Sequence, residues 1–312
     1  TKEYLGFSTH LAYLGPLWEE LLQADTYTKG GGATVVSIVD GERSGYARTG
    51  IAGVANTGTD RNWSGSHFDQ ANWYAFGRFA WDPDVSAEAV ARDWTALTFS
   101  REPEVVDTII GIMMRSREAV VDYMTPMGLT HLMGTGHHYG PAPWVDDLGR
   151  ADWTPYYYHK ATADGIGFDR TANGSDAVVQ YAPELQAIWS DPATTPDNLL
   201  LWFHRVRWSD EVRPGLTVWQ DMVMHYDRGV AAVAGMQSDW ASLEGRIDAE
   251  KFRQVSDFLS IQLQEARWWR DASIAYWQSV NGLPLPAGHV PPRHDLAYYK
   301  SLSFPNAPGQ GQ

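Results

Sequence analysis

At 312 residues the chain exceeds the usual span of a single core, so one large or two medium domains are expected, and an apolar share of 44% is ample to fill them. A formal charge of −14 without any cluster of Lys and Arg excludes a nucleic-acid backbone as partner, and no apolar run approaches the roughly 18 residues of a membrane span. Zero cysteines exclude a disulfide framework and a thiolate metal site, which leaves the redox compartment open.

Taken in chain order, Glu3 to Gly6 reads as the end of a strand. Pro16 then opens a helix carrying Leu17, Trp18, Leu21 and Leu22, because its missing N–H costs nothing in a first turn. Thr28 to Ala33, with Gly30, Gly31 and Gly32, is a turn, and the apolar run Val35 to Val39 is too short to type by period. Ile51 to Asn56 is expected as a buried strand and His67 to Phe79 as a helix. Strand, loop, helix, repeated, is the pattern of parallel α/β units. Beyond Trp81-Asp82-Pro83-Asp84 the texture turns helical. Ser86 caps a helix with Val90, Trp94 and Leu97 on one face, and Val106 to Met127 follows as a long amphipathic helix. Thr217 with Gln220 forms a capping box, and Phe252 to Trp277 marks the longest helix. The expected architecture is an α/β part over residues 1–85 and a mainly helical domain over 86–312. Two long loops, Leu129 to Gly174 and Gly282 to Gln312, are rich in Gly, Pro and aromatics, and loops of that length are seldom idle.

Three stretches carry chemistry. Glu3 sits where a parallel strand delivers side chains to the C-terminal mouth of a barrel or sheet, where active sites gather; a general base, a sugar-hydroxyl ligand or a solvated N-terminal Glu are its readings. Asn56 to Trp63 packs amide, hydroxyl, carboxylate, guanidinium and indole into eight positions. Within it Arg61 can hold a carboxylate bidentately, Trp63 can stack on a ring, and Asp60 and Asn62 add polar contacts; an internal Asp60–Arg61 turn network is the alternative. The third stretch gathers His137, His138, Tyr139, Trp144 and Trp153 into one loop, better suited to a pocket wall than to solvent. Adjacent His residues cannot share a helix face and no HExxH pattern occurs, so no metal is expected. Trp202-Phe203-His204 and Trp208 read as packing. Neither a P-loop nor a Gly-x-Ser-x-Gly motif occurs, so nucleotide binding and α/β-hydrolase chemistry lack support. The excess of 15 Trp and 15 Tyr fits cores first, and sugar faces second.

Several strings together resemble glycoside hydrolase family 67, the xylan α-glucuronidases: Glu3-Tyr4-Leu5-Gly6 with Ser8-Thr9-His10-Leu11, Thr49 to Asn56, Gly58 to Trp63, Gln70 to Arg78, Ala80 to Asp84, Gly136 to Pro141, Asp152-Trp153, Tyr157 to His159 and Trp202 to His204. They span nearly the whole chain. The resemblance implies the C-terminal portion of such an enzyme, with the last βα units of a (β/α)8 barrel over residues 1–85 and a mainly helical C-terminal domain over 86–312. It implies hydrolysis of α-1,2-linked (4-O-methyl)glucuronic acid from xylo-oligosaccharides with inversion, no cofactor, aldouronic acids or glucuronoxylan fragments as substrates, and a homodimer through the C-terminal domain. Glu3 would match the general base, another Glu upstream of the chain being the alternative. The general acid would lie upstream of Thr1, so the chain alone is expected to be inactive. Lys2 stands where Gln is expected and Ser64 where Cys is common, and neither departure touches a carboxylate. A first residue of Thr1 points to processing, trimming or a fragment, and no signal peptide opens the chain. Localisation stays open, with the cytoplasm ahead of export. A carbohydrate-binding or dimerisation module without chemistry is the alternative reading.

Overall fold

The structure, a computed structural model, describes residues 10–28, 30–54, 64–136 and 138–304. Helix takes 55% of the described residues, against one pair of two-residue strands among them, β1 (Gly165–Ile166) and β2 (Val206–Arg207). The protein is therefore mainly α. Its contacts divide it into two compact units, residues 1–118 with 232–262, and residues 119–231 with 263–312.

The first unit contains α1 (Gly15–Gln23), α2 (Val35–Val39), α3 (His67–Trp81) and α4 (Ala87–Thr98), with most of α5 (Pro103–Met124), the end of α9 (Val218–Ala241) and the start of α10 (Ala249–Asn281). Capping explains where these helices begin. Ser66 opens α3 by accepting from the N–H of Asp69 at 3.1 Å, and its hydroxyl donates to the Asp69 carboxylate at 2.6 Å. Ser86 does the same for α4 through Ala89. The apolar run Val35 to Val39 is helix rather than strand because Thr34 caps it, accepting from Ser37. Val90, Ala91, Trp94 and Thr95 form the buried stripe of α4. Leu97, expected on that face, lies off it in the last turn and is exposed. Phe68, Trp94, Phe99 and Trp240 interlock in tilted and edge-to-face pairs at 5.4–6.3 Å.

Ile51 to Val54, expected as a buried strand, is irregular, and Val54 is 87% exposed. A strand needs a neighbour for its N–H and C=O groups, and the two strands among the described residues pair only with each other. Ahead of α1 the chain solves the same problem with side chains. The buried amide of Gln262 accepts from the Leu11 N–H at 2.9 Å and donates to the Leu11 C=O at 3.2 Å. The Tyr13 N–H donates to the Ser116 hydroxyl, and Asn72 brackets the segment, accepting from the Leu14 N–H and donating to the Ala12 C=O.

The second unit holds the last turn of α5, α6 (Pro155–His159), α7 (Pro183–Trp189), α8 (Leu200–Phe203), the first turns of α9, the rest of α10 and α11 (Leu296–Ser301). Helix α5 stops at Met124 because Pro126 disfavours helical backbone before it, and Met127 then takes a left-handed conformation (φ 59°). The expected capping box opens α9: Gln220 accepts from the Thr217 N–H at 2.9 Å, and Thr217 Oγ1 accepts from the Gln220 N–H at 3.3 Å. Helices α5 and α9 touch at Gly229, where a Cβ would lie 2.6 Å from the Tyr123 nitrogen. Trp208, Trp219, Tyr226, Trp269 and Trp277 fill the core, so the reading of Trp202 to Trp208 as packing holds for Phe203, His204 and Trp208, all buried. The long loop after Gly282 is latched by Arg270, whose buried guanidinium bonds Asp227, Asp271 and the Val290 carbonyl, while His289 bonds Asp227 from the loop itself.

Candidate functional site

The loop from Leu129 to Gly174 lies in the second unit and is built from short fixed pieces. Residues 132–142 turn back on themselves: the Ala142 N–H donates to the Leu132 C=O at 2.8 Å, Gly134 to Gly140 at 2.9 Å and His138 to Gly134 at 2.8 Å. His138 sits at the tip in a left-handed conformation (φ 48°) and is half-buried. Tyr139 next to it turns inward. Its hydroxyl donates to the Glu265 carboxylate, and its ring meets those of Trp268 and Phe304, each at 5.6 Å. Burial, and then the Glu265 carboxylate, push the Tyr139 hydroxyl pKa well above its ordinary value, so it stays a donor. Gly140 is required here, because a Cβ would fall 1.8 Å from the Trp268 ring.

After Pro143 the loop packs on α10. Trp144 meets Tyr276 edge-on at 6.4 Å. His159, the last residue of α6, is wholly buried: one ring nitrogen donates to the Pro143 carbonyl at 2.8 Å and the other accepts from the Ala161 N–H at 3.0 Å. Burial holds its pKa down to about 4, which keeps the ring neutral, and the two hydrogen bonds fix its tautomer.

Trp153 differs from these. It closes a 3-10 turn over Ala151–Trp153 and is 54% exposed. Thr135, in the 132–142 turn, donates its hydroxyl to the Trp153 carbonyl at 2.5 Å, so the segment carrying His138 and Tyr139 is tied to the one carrying Trp153. The guanidinium of Arg150 lies 5.1 Å from the Trp153 ring centroid and is forked by Asp152, with Nε to Oδ1 at 3.0 Å and Nη2 to Oδ2 at 2.5 Å. That bond to Arg150 holds the Asp152 carboxyl below the usual carboxylate range.

In the first unit a cavity of about 250 Å³ is lined by His10, Trp18, Asp69, Asn72, Trp73 and Phe76 with Gly53 and Val54. Asn72 and Asp69 are committed to backbone and to Ser66, so the cavity presents mainly aromatic faces. His10 and Val54 are the described residues that border, in sequence, the stretches containing Glu3 and Asn56 to Trp63. Among the described residues no group of three His, Asp or Glu is placed to hold a metal ion, and no helix is long and apolar enough to cross a membrane.

The description Glycosyl hydrolase family 67 C-terminus matches residues 64–290, and Glycosyl hydrolase family 67 middle domain matches residues 1–63. The chain belongs to glycosyl hydrolase family 67. It is similar to Alpha-glucuronidase A of Emericella nidulans, 38% identical over 296 residues, and to Alpha-glucuronidase A of Aspergillus tubingensis, 38% identical over 295 residues. In both, 93% of this chain aligns with 34% of the relative. The chain thus spans about a third of the length of the curated relatives it matches, in their C-terminal portion.

Of the residues singled out in the sequence, Glu3, Asp60, Arg61, Asn62, Trp63 and His137 lie outside the described residues. His138, Tyr139, Trp144 and Trp153 fall in one loop system. Tyr139 and Trp144 are anchored on α10, whereas Trp153 projects outward. Sequence reading missed Glu265 and Arg150. Glu265 left a signal, a carboxylate three residues after Gln262 and four before Trp269 on a buried side of α10. Arg150 left a weaker one, the Arg-x-Asp-Trp order.

Proposed function

We propose that the chain serves the hydrolysis of α-1,2-linked (4-O-methyl)glucuronic acid from xylo-oligosaccharides, with inversion, as part of xylan breakdown. The observation that carries the reading is membership of family 67 along the chain, with relatives named as alpha-glucuronidases aligned over 93% of it. Residues 1–85 are read as the last βα units of a (β/α)8 barrel, with α3 as its final helix, and 86–312 as the helical C-terminal domain.

An inverting enzyme places acid and base about 6.5–9.5 Å apart so that a water fits between base and anomeric carbon. Glu3 is assigned as the base. Asp60, Arg61, Asn62 and Trp63 are assigned to the uronic acid, Arg61 meeting its carboxylate in a fork that a planar guanidinium makes well. His137, His138, Tyr139 and Trp144 form a wall, and Trp153 stacks on a sugar ring; its exposure supports that part of the reading. The general acid is assigned to the two-thirds of the relatives' length that this chain does not span, so the 312 residues alone turn over nothing.

Aldotriouronic acid incubated with this chain and with an N-terminally extended form tests the assignments, followed by proton NMR of the released sugar. The extended form should release glucuronic acid first as the β-anomer. Release by the chain alone would overturn the placement of the acid, and an α-anomer would overturn inversion. A homodimer through the helical domain is proposed on the resemblance alone. Trp94, Trp208, Trp219, Trp240, Trp269 and Trp277 are buried within the chain, so their rings offer it no surface. Sedimentation at micromolar concentration should give twice the chain mass.

A further inference from the structure

Trp153 is unusual among the tryptophans of the second unit in being both exposed and held from several sides. Its carbonyl is fixed by the Thr135 hydroxyl at 2.5 Å. Its neighbour Asp152 gives its own carbonyl to the Tyr158 hydroxyl at 3.0 Å, and Tyr158 is in turn stacked on His131 with ring centroids 4.0 Å apart. The backbone on both sides of the indole is therefore set by side chains from 131–158. The ring itself is set by Arg150. A flexible arginine would not define a ring angle, but this one is forked by Asp152 at 3.0 and 2.5 Å, which narrows the rotamers open to it, and its guanidinium lies 5.1 Å from the ring centroid. The fork also neutralises the guanidinium locally, so Arg150 is poorly placed to take a uronic carboxylate for itself.

We infer that Arg150, locked by Asp152, is a positioning residue for sugar binding: it holds one face of the Trp153 indole at a set angle so that the rest of the ring is presented, already ordered, to a pyranose of the xylan fragment. The inference rests on the reading that Trp153 stacks on a sugar. Ordering matters because a side chain that must be immobilised on binding weakens the complex by the freedom it loses.

Two readouts on the 312-residue chain separate the inference from the reading beneath it. The first needs no ligand. The indole Nε1–H resonance of Trp153, assigned by its loss in Trp153→Phe, should relax like that of the buried tryptophans in the wild type and like a freely rotating side chain in Arg150→Ala. Arg150→Lys, which keeps the cation but not the fork, should fall between them. The second is titration with aldotriouronic acid, followed by calorimetry in every variant and also at the same resonance wherever Trp153 is present. Arg150→Ala should weaken binding about three- to five-fold, the size of an exposed cation–π contact and its ordering, and should add nothing in a Trp153→Ala background. Unchanged ring relaxation in Arg150→Ala overturns the positioning role whatever the titration gives. Ordered wild-type relaxation, lost in Arg150→Ala, with no response of Trp153 to the saccharide overturns the stacking reading instead, and with it the function assigned to the ordering.

Discussion

Replacing Gln262 by Leu tests how the segment ahead of α1 is held. Gln262 is fully buried, and its amide serves both the N–H of Leu11 at 2.9 Å and its C=O at 3.2 Å. Leu has a similar volume and opens no large cavity, so the cost comes from leaving a buried donor and a buried acceptor unmet. At about 1–3 kcal/mol for each orphaned group, offset by the better transfer of Leu than Gln from water, the expected loss is about 2–4 kcal/mol. Gln262→Glu sharpens the test. An ionised carboxylate there accepts from the Leu11 N–H but turns its second oxygen on the Leu11 C=O, whereas the protonated acid can donate to that C=O. Burial raises the introduced carboxyl's folded pKa above its unfolded value of about 4.3. Stability relative to wild type is then highest below about pH 4.3 and is lost as pH rises through the folded pKa. Urea unfolding followed by tryptophan fluorescence between pH 4 and 8 measures both variants. A loss under about 1 kcal/mol for Gln262→Leu, or a flat difference between Gln262→Glu and wild type, would refute the clamp.

His159 has a folded pKa of about 4 against 6.5 in the unfolded chain. Its contribution is therefore fully present above about pH 6.5 and is lost as pH falls towards 4, by up to about 3 kcal/mol. In His159→Gln, which keeps a donor for the Pro143 carbonyl, urea midpoints should fall less between pH 7 and 4.5 than in wild type, and parallel slopes would count against a buried neutral ring. Gly140→Ala puts a methyl 1.8 Å from the Trp268 ring and should destabilise by about 1–3 kcal/mol, with changed near-UV circular dichroism; a neutral result would mean the ring has room to move. Amides of Ile51 to Val54, irregular and largely exposed, should exchange with solvent faster than those of Phe252 to Trp277, and the reverse order would contradict the weaker protection argued for the first segment.

The helices were legible because their signals are local. The Ser66, Ser86 and Thr217 caps, Pro16 in a first turn and the four-residue spacing of Val90 and Trp94 act within one or two turns and need no distant partner. Ile51 to Val54 was misread for the opposite reason, since whether an apolar run becomes a strand depends on a neighbour that its own composition does not encode. The site was legible as residue types gathered in a loop, but not as roles. Tyr139 and Trp144 read as parts of a pocket wall, and in the structure each is anchored on α10. The partners that give them those anchors, Glu265 and Tyr276, are more than a hundred residues away in sequence.

The segment from Leu11 to Leu14 shows how the part matched by the middle-domain description can depend on the part matched by the C-terminal one. Its backbone groups are met by Gln262 on α10, Ser116 on α5 and Asn72 on α3, each within the stretch matched by the C-terminal family description, whereas the segment itself falls within the middle-domain match. Side chains thus do here what a paired strand does in a sheet, and they do it at full burial for Gln262 and Ser116. Such bonds are sensitive to direction as well as distance. A shift of α10 by a fraction of an ångström along its axis would therefore be felt at Leu11, in the same segment that carries Glu3 upstream. If Glu3 is the base, water activation depends on helices that contain none of the assigned carboxylates. Gln262→Leu in an active, extended form should then lower kcat more than it raises KM, because a displaced base loses transition-state stabilisation while the sugar contacts remain. An unchanged kcat in that variant would separate the clamp from catalysis and leave it a purely structural feature.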